Sequence, residues 1–332
     1  MEFGAVPVAE AEGAVLAHSV ALESGRLKKG RRLDAADITA LQAEGLAQVT
    51  IARLGPGDVG EDEAARLLAE ALIDGAGGLR LSEPFTGRVN IHATGIGLAR
   101  LDAARLNAAN AVDDMVTLAT VPPWHRMGEG GMVGTVKVIA YGAPRASVER
   151  ASDLARGAVR LAPVVTPDAT LIVTDHEAGS GEETGKGFRA IEARLDALGM
   201  RLAATRRVGH MTDAVAEAIA GAEGAMILIL TASATSDPHD VGPEALRRAG
   251  GSVTRFGMPV DPGNLLFYGT AADGRPVIGL PGCARSPALN GADWVLERLA
   301  AGHPPTSGEV GAMGVGGLLK ESPGRKQPRS GG

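Results

Sequence analysis

Five consecutive apolar residues, Met226 to Leu230, run without a break into the small residues Thr231, Ala232, Ser233, Ala234, Thr235 and Ser236, and no other stretch constrains the chain as tightly. The run is too short for a helix and too continuous for a half-exposed strand. It therefore predicts a central strand of a parallel sheet, covered on both faces. The loop after it carries hydroxyls and little bulk, so backbone amides and side-chain oxygens can approach an anionic or polar ligand closely. A helix should follow: Pro243 suits a first helical position, Glu244 favours the positive end of the helix dipole, and Gly250-Gly251 stops the helix. Strand, polar loop and helix start in that order predict a ligand crevice at the carboxyl edge of a sheet.

The same alternation occurs upstream. Leu171 to Thr174 reads as a short strand, and Asp175, His176 and Glu177 open a glycine-rich acidic loop that runs to Gly185. Phe188, Ile191, Leu195 and Leu198 lie at helical spacing, with Gly199 ending that helix. A strand over Leu202 to Val208 and a helix over Asp213 to Ala222 complete the pattern. Repeated strand–helix units are the sequence form of an α/β fold, here a three-layer α/β/α domain with a mostly parallel sheet. Parallel neighbours send their loops off one edge, which would gather Asp175, His176 and Glu177, then His210 and Asp213, then Asp237, His239 and Asp240. Carboxylates collected there could hold Mg²⁺ against a phosphate, and histidines could donate to an anion or assist a metal. Taken singly, each residue except Asp240 is better explained by the ordinary polarity of surface loops. No Walker-A pattern and no glycine-rich dinucleotide turn occurs, which excludes the usual nucleotide-binding folds.

The chain before this domain has a different texture. Residues 1–80 read as an α+β segment, with Asp34 capping a helix to Glu44, a strand at Gln48 to Ala52 and an acidic helix start at Glu61, Asp62 and Glu63. The basic run Lys28, Lys29, Arg31 and Arg32 reads as a solvated turn. Residues 81–145 are β-rich, with strands over Gly87 to Ala93, Val116 to Val121 and Thr135 to Tyr141; Asn107, Asn110, Asp113 and Asp114 read as a polar loop. A helix over Ser147 to Val159 then opens the α/β/α domain, residues 146–302. Residues 303–332 form a Gly/Pro-rich extension in which Gly314 to Leu319 docks and Arg325 to Gly332 is a disordered tail.

Charge narrows the partners. With 33 basic and 39 acidic residues the net charge is −6, which argues against nucleic acid. A single cysteine, Cys283, excludes an intrachain disulfide and fits a reducing compartment. The first residues lack a basic, apolar leader and no apolar run reaches spanning length, so the expectation is a cytoplasmic protein with no membrane partner.

Thr231 to Leu246 resembles the signature loop of the molybdenum-cofactor biosynthesis fold, in which Thr-Gly-Gly-Thr-Gly runs into Arg-Asp-Val-Thr-Pro-Glu-Ala. Thr231, Thr235, Asp240, Val241, Pro243, Glu244 and Ala245 match; Ser233 and Ala234 replace the paired glycines, His239 stands for arginine and Gly242 for a threonine. Thr174-Asp175 falls where the family has Ser-Asp, and His210 where it often has aspartate. The loops Met258 to Asn264 and Gly279 to Pro287 resemble the paired family loops that line a pterin and phosphate pocket, the first without its lysines and the second lengthened by Cys283-Ala284-Arg285-Ser286. Gly25 to Val49 is similar to the amino-terminal part of molybdopterin molybdotransferase-like proteins.

The resemblance implies molybdopterin, or its adenylylated form, as ligand, acted on at the molybdate-insertion or cofactor-transfer step by a transferase. It implies Asp240 and Asp175 as catalytic carboxylates and Mg²⁺ ligands. Thr231, Ser233, Thr235, Ser236, Asp237, His239 and His210 would bind the substrate, as would Gly282, Cys283, Arg285 and Ser286 on the opposite wall. Arg285 would grip the phosphate in bidentate fashion, and a Cys283 thiolate would suit molybdenum or dithiolene exchange. Molybdate enters as a co-substrate, and a homo-oligomer that meets a cofactor nucleotidyltransferase or a molybdoenzyme chaperone is expected. Two other readings remain: a non-catalytic carrier of the cofactor, and a nucleotide hydrolase on the same fold.

Overall fold

The computed structural model describes residues 1–176 and 185–319. The acidic glycine-rich loop from Glu177 to Thr184 and the Arg325 to Gly332 tail lie outside them. The chain divides into two compact units, residues 1–162 and 163–332.

The first unit has two cores. Leu16, Leu33, Leu41 and Ile51 close one beneath the antiparallel strands Glu2–Pro7, Gln48–Arg53 and Val15–Leu16. Its helix, Ala35–Ala43, starts on a reciprocal capping box: Asp34 Oδ1 accepts from the Asp37 amide at 2.9 Å, and Asp37 Oδ2 accepts from the Asp34 amide at 3.3 Å. The basic turn is not merely solvated, because Arg31 donates to Asp37 at 2.6 Å.

The second core lies between the helices Glu61–Ile73 and Arg145–Ala155 and a four-stranded antiparallel sheet that includes Arg88–Ala93 and Met132–Val138. Two expectations are corrected here. Asn107 and Asn110 are helical, within Ala103–Asn110, and the Asn110 side chain clamps both the amide (2.8 Å) and the carbonyl (3.0 Å) of Leu118. The helix expected to reach Val159 ends at Ala155, because Gly157 turns into the left-handed region and Val159–Pro163 becomes a strand.

The second unit is built on a six-stranded sheet. Its elements are β1 (Asp168–Asp175), α1 (Lys186–Asp196), β2 (Arg201–Gly209), α2 (Thr212–Ala220), β3 (Met226–Leu230), α3 (Val241–Arg248), β4 (Ser252–Phe256), β5 (Phe267–Thr270), β6 (Pro276–Leu280), α4 (Gly291–Ala300) and α5 (Ser307–Ala312). The order across the sheet is β2-β1-β3-β6-β5-β4. The first four are parallel, whereas β5 runs antiparallel to β6 and β4 antiparallel to β5. The fold is thus α/β with a mostly parallel sheet, and its antiparallel edge went unanticipated in the sequence.

Alternation along the strands fills both faces. Leu171, Val173, Leu228 and Leu230 pack with α1, α4 and α5, whereas Ile172, Ile227 and Ile229 pack with α2 and α3. All five residues of β3 are buried, which is why that run carries no polar residue. Each such aliphatic side chain contributes about 1.5–3 kcal/mol of burial. The docking expected of Gly314 to Leu319 is observed: the Asp261 amide donates to Gly317 O and the Leu319 amide to Asp261 O, each at 2.8 Å. No helix among the described residues is long and apolar enough to cross a membrane.

Candidate functional site

Because β1, β3 and β6 are parallel neighbours, the loops that follow them leave one rim. The chain proceeds from β1 to one side of the sheet, to β2, and then crosses to β3 on the other. The crevice where those directions diverge is the position expected for a ligand.

Thr174, fully buried at the end of β1, holds two loops with one oxygen. Its Oγ1 accepts from the Ala232 amide at 2.8 Å and lies 2.9 Å from His210 Nδ1. His210 Nε2 in turn lies 3.0 Å from Ser233 Oγ. The His176 ring meets His210 edge-on, with centroids 5.1 Å apart. Burial, and secondarily the neighbouring His176, push the His210 imidazole below its ordinary value, against the pull of Asp240. The folded state therefore takes up this proton only at lower pH than the unfolded chain does. Stability should be retained above the ordinary histidine range and decline as pH falls through it toward the depressed folded value. Urea midpoints between pH 8 and pH 5 should fall more for the parent than for His210→Gln; parallel curves would contradict this.

The loop after β3 is braced from within. Thr231 Oγ1 donates to Ser233 O at 2.7 Å and lies 3.3 Å from Thr235 Oγ1. Asp240, not Pro243, starts the helix: its Oδ1 accepts from the Val241 amide at 2.7 Å and its Oδ2 from the Ser236 amide at 3.0 Å. Pro243 sits two residues inside α3, still in the first turn where its missing N–H costs nothing. Gly242 therefore does not stand at the cap. It stands where a side chain would meet the Phe267 ring, whose Cε1 lies 2.8 Å from the place of a Cβ. Asp237 accepts from the His239 amide at 2.8 Å, and the His239 side chain, 81% exposed, lies 4.0 Å from Glu244. Among the described residues, the amides of Ser233, Ala234 and Thr235 donate to no acceptor.

The opposite wall is the short 3-10 turn Gly282–Arg285. Arg285 reaches across to donate to Thr231 O at 2.9 Å, and its charge is opposed by burial but favoured by Asp175. Asp175 pairs with Arg207 of β2 at 2.9 Å. Burial pushes the Cys283 thiol up, so the side chain is a thiol near neutral pH rather than the thiolate expected of a soft metal ligand. Gly282 has open space where a side chain would project. Ser286 serves chiefly through its carbonyl, which accepts from Arg194 Nη2 at 2.9 Å.

Arg194 of α1 is the residue that sequence reasoning missed. It is buried, and its Nε meets Asp293 at 2.5 Å. Its other nitrogens donate to the carbonyls of Ala190, Ala284, Ser286 and Ala288. One guanidinium thus fixes the whole Gly282 to Ala288 wall. The available signal was an arginine on the apolar stripe of α1, three residues after Ile191 and four before Leu198.

Asp175, Asp240, His210 and Arg285 therefore share one rim, but they do not form a Mg²⁺ site by themselves. No group of three His, Cys, Asp or Glu is placed to hold a metal among the described residues. Asp240 caps a helix with both oxygens, and Asp175 is engaged by an arginine. A cation carried by the ligand's own phosphate would find Asp240 as one further oxygen donor.

Residues 170–301 match the family model described as a probable molybdopterin binding domain, and residues 5–53 match a domain of unknown function. No curated protein matches the chain. Among solved structures, it is similar to the molybdopterin biosynthesis MoeA protein of Pyrococcus horikosii at 14% identity and a TM-score of 0.32, covering 92% of this chain and 76% of that one. It is similar to a molybdenum cofactor biosynthesis protein of Pyrococcus furiosus at 12% identity and a TM-score of 0.27, covering 92% of this chain and 66% of that one. Likeness at that level says nothing of ligand or reaction. The match over residues 170–301 falls on the α/β/α unit and takes in its rim, so that unit is similar to the molybdopterin-binding domains of molybdenum-cofactor biosynthesis.

Proposed function

We propose that the rim between β1, β3 and β6 binds the phosphate of molybdopterin or of its adenylylated form, and that the chain acts at the molybdate-insertion or cofactor-transfer step of molybdenum-cofactor biosynthesis. One observation carries this reading: three successive amides, Ser233 to Thr235, have no acceptor among the described residues and lie in the loop whose first carbonyl holds Arg285. Amides left unpaired are donors waiting for an anion, and the guanidinium adds a fixed positive charge beside them. Thr231, Thr235 and Ser236 shape the cradle; Asp240 orders it by capping α3. Asp237 and His239 sit at its outer margin.

A carrier role draws support from a separate fact, namely that Asp175 is paired with Arg207 and both oxygens of Asp240 accept from backbone amides. Titration with molybdopterin, with and without Mg²⁺ and molybdate, separates the readings when binding and product are both measured. Saturable binding with molybdate-dependent product supports insertion, binding without product supports the carrier, and nucleotide turnover without pterin affinity supports the hydrolase. A calorimetric blank with the pterin removes the first two. Arg285→Ala should weaken pterin phosphate binding by about tenfold or more, the worth of a charge-assisted hydrogen bond.

A further inference from the structure

The two positions where the loops depart most from the molybdenum-cofactor pattern, Ser233 in place of a glycine and His210 in place of an aspartate, are hydrogen-bonded to one another at 3.0 Å. From that pairing we propose that Ser233 is a covalent nucleophile toward phosphorus, with His210 as its general base and Thr174 as the residue that positions the base. The proposal rests on the phosphate-binding reading above for its ligand class, a phosphate ester or anhydride.

The geometry is that of an activated hydroxyl: nucleophile and base within hydrogen-bond reach, and the far side of the base held by a third group. Thr174 supplies the third group. One lone pair of its Oγ1 is taken by the Ala232 amide at 2.8 Å, and in the tautomer that the proposal assigns, the other accepts the proton on His210 Nδ1, 2.9 Å away. That assignment leaves Nε2 bare and facing Ser233 Oγ. Rotation of the imidazole out of line is opposed by the His176 ring packed edge-on at 5.1 Å. Thr174 is itself fully buried at the end of β1, so the anchor does not move with the loop.

Ser233 is held as firmly from the other direction. Its carbonyl accepts from Thr231 Oγ1 at 2.7 Å, which fixes the backbone just after β3, while its side chain stays exposed. A nucleophile on the tight turn after a central parallel strand can present its oxygen above the sheet edge. Its own amide and the next two, which have no acceptor among the described residues, supply donors for charge that develops on the phosphoryl oxygens.

In the first step Ser233 Oγ bonds to phosphorus while its proton passes to His210 Nε2. The bond from phosphorus to the leaving oxygen breaks, and that oxygen takes the proton from the imidazole. Water, deprotonated by the same nitrogen, then displaces Ser233 Oγ, and the proton returns to the serine. No oxidant or reductant enters.

A fluorophosphonate tests the nucleophile without needing the natural ligand. Incubated with the full chain, it should release fluoride and leave a phosphonyl adduct on Ser233, located by peptide mass spectrometry. His210→Gln, confirmed folded by circular dichroism, should slow labelling by about 10²- to 10⁴-fold, the usual contribution of a positioned base. Thr174→Val should slow it by at least about tenfold and Thr174→Ser should restore it, because only the hydroxyl orients the imidazole. Serine also restores the bond to the Ala232 amide, so the pH profile of labelling is read with it. Loss of the His210-dependent limb in Thr174→Val marks the positioning role, a uniform fall with the limb intact overturns it, and the threonine pair carries the test if His210→Gln fails to fold. Absence of an adduct on Ser233, or equal rates with and without the imidazole, would overturn the proposal. Pterin titration of the parent protein in parallel separates the two failures: pterin affinity without an adduct overturns the nucleophile alone. An adduct without pterin affinity upholds the nucleophile and removes its ligand class.

Discussion

Arg194→Ala is expected to destabilise the second unit by about 3–5 kcal/mol, the cost of leaving a buried carboxylate and its surroundings uncompensated. Among the described residues the guanidinium is the only partner of Asp293 Oδ1, and Asp293 Oδ2 accepts from the Asn290 amide at 2.8 Å to start α4. Removing the cation leaves that carboxylate charged in a buried setting, beside an Asn290 Nδ2 that has no partner among the described residues. It also strips donors from the carbonyls of Ala284, Ser286 and Ala288, which fix the pocket wall. Arg194→Lys should rescue little, because an ammonium cannot span the same planar set of acceptors. Urea unfolding would give the free-energy change. The reaction of Cys283 with a thiol reagent in native buffer would report the loosened wall, rising in the variant. A loss below about 1 kcal/mol, typical of a surface pair, would show that the arginine is dispensable.

The difference between what could and could not be read from the residues follows the range of the interactions. β3 was legible because a strand buried on both faces needs an unbroken apolar run, and Met226 to Leu230 is one. The helices were legible from caps and stripes, as with Asp34 and with Ile191, Leu195 and Leu198. β4 and β5 were not, because Arg255 interrupts the first and Pro259, Pro262 and Gly263 punctuate the segment between them. Their pairing is set by contact with β6 rather than by local pattern. The start of α3 was placed two residues late because proline suits the whole first turn, so Pro243 marks the turn without marking the cap.

In the rim, the residue types were visible and their partners were not. His210, Ser233 and Asp240 were chosen by chemistry and by resemblance. That one oxygen of Thr174 would bind two loops depends on strands 36 residues apart lying side by side. Arg194 escaped for the same reason: its four carbonyl acceptors include three that are 90 or more residues later.

Returning Gly242 to the threonine of the molybdenum-cofactor pattern should destabilise the protein by about 1–3 kcal/mol, the range for overpacking a filled core. A Cβ at this position would lie 2.8 Å from Phe267 Cε1 and 3.0 Å from Cζ. A ring tip would ordinarily yield to such a contact, but the same atoms of this ring, Cε1 and Cζ, also lie against Gly279 of β6 with no space for a Cβ there, so the ring has little room to move. Phe267 is fully buried and occupies a slot made by two glycines, one in the sheet and one in the first turn of α3. That ring sets how closely the helix and its Asp240 cap approach the sheet, so the substitution should also move the loop from Thr231 to Asp240. Phe267→Leu frees part of the slot and should itself cost stability through lost packing. The double variant should then be more stable than the sum of the single losses predicts, with a coupling of about 0.5–3 kcal/mol between residues in contact. Urea midpoints of the four proteins close the cycle. Strict additivity would mean that the loop and helix absorb the threonine without touching the ring, and that the glycine at this position answers to something other than Phe267.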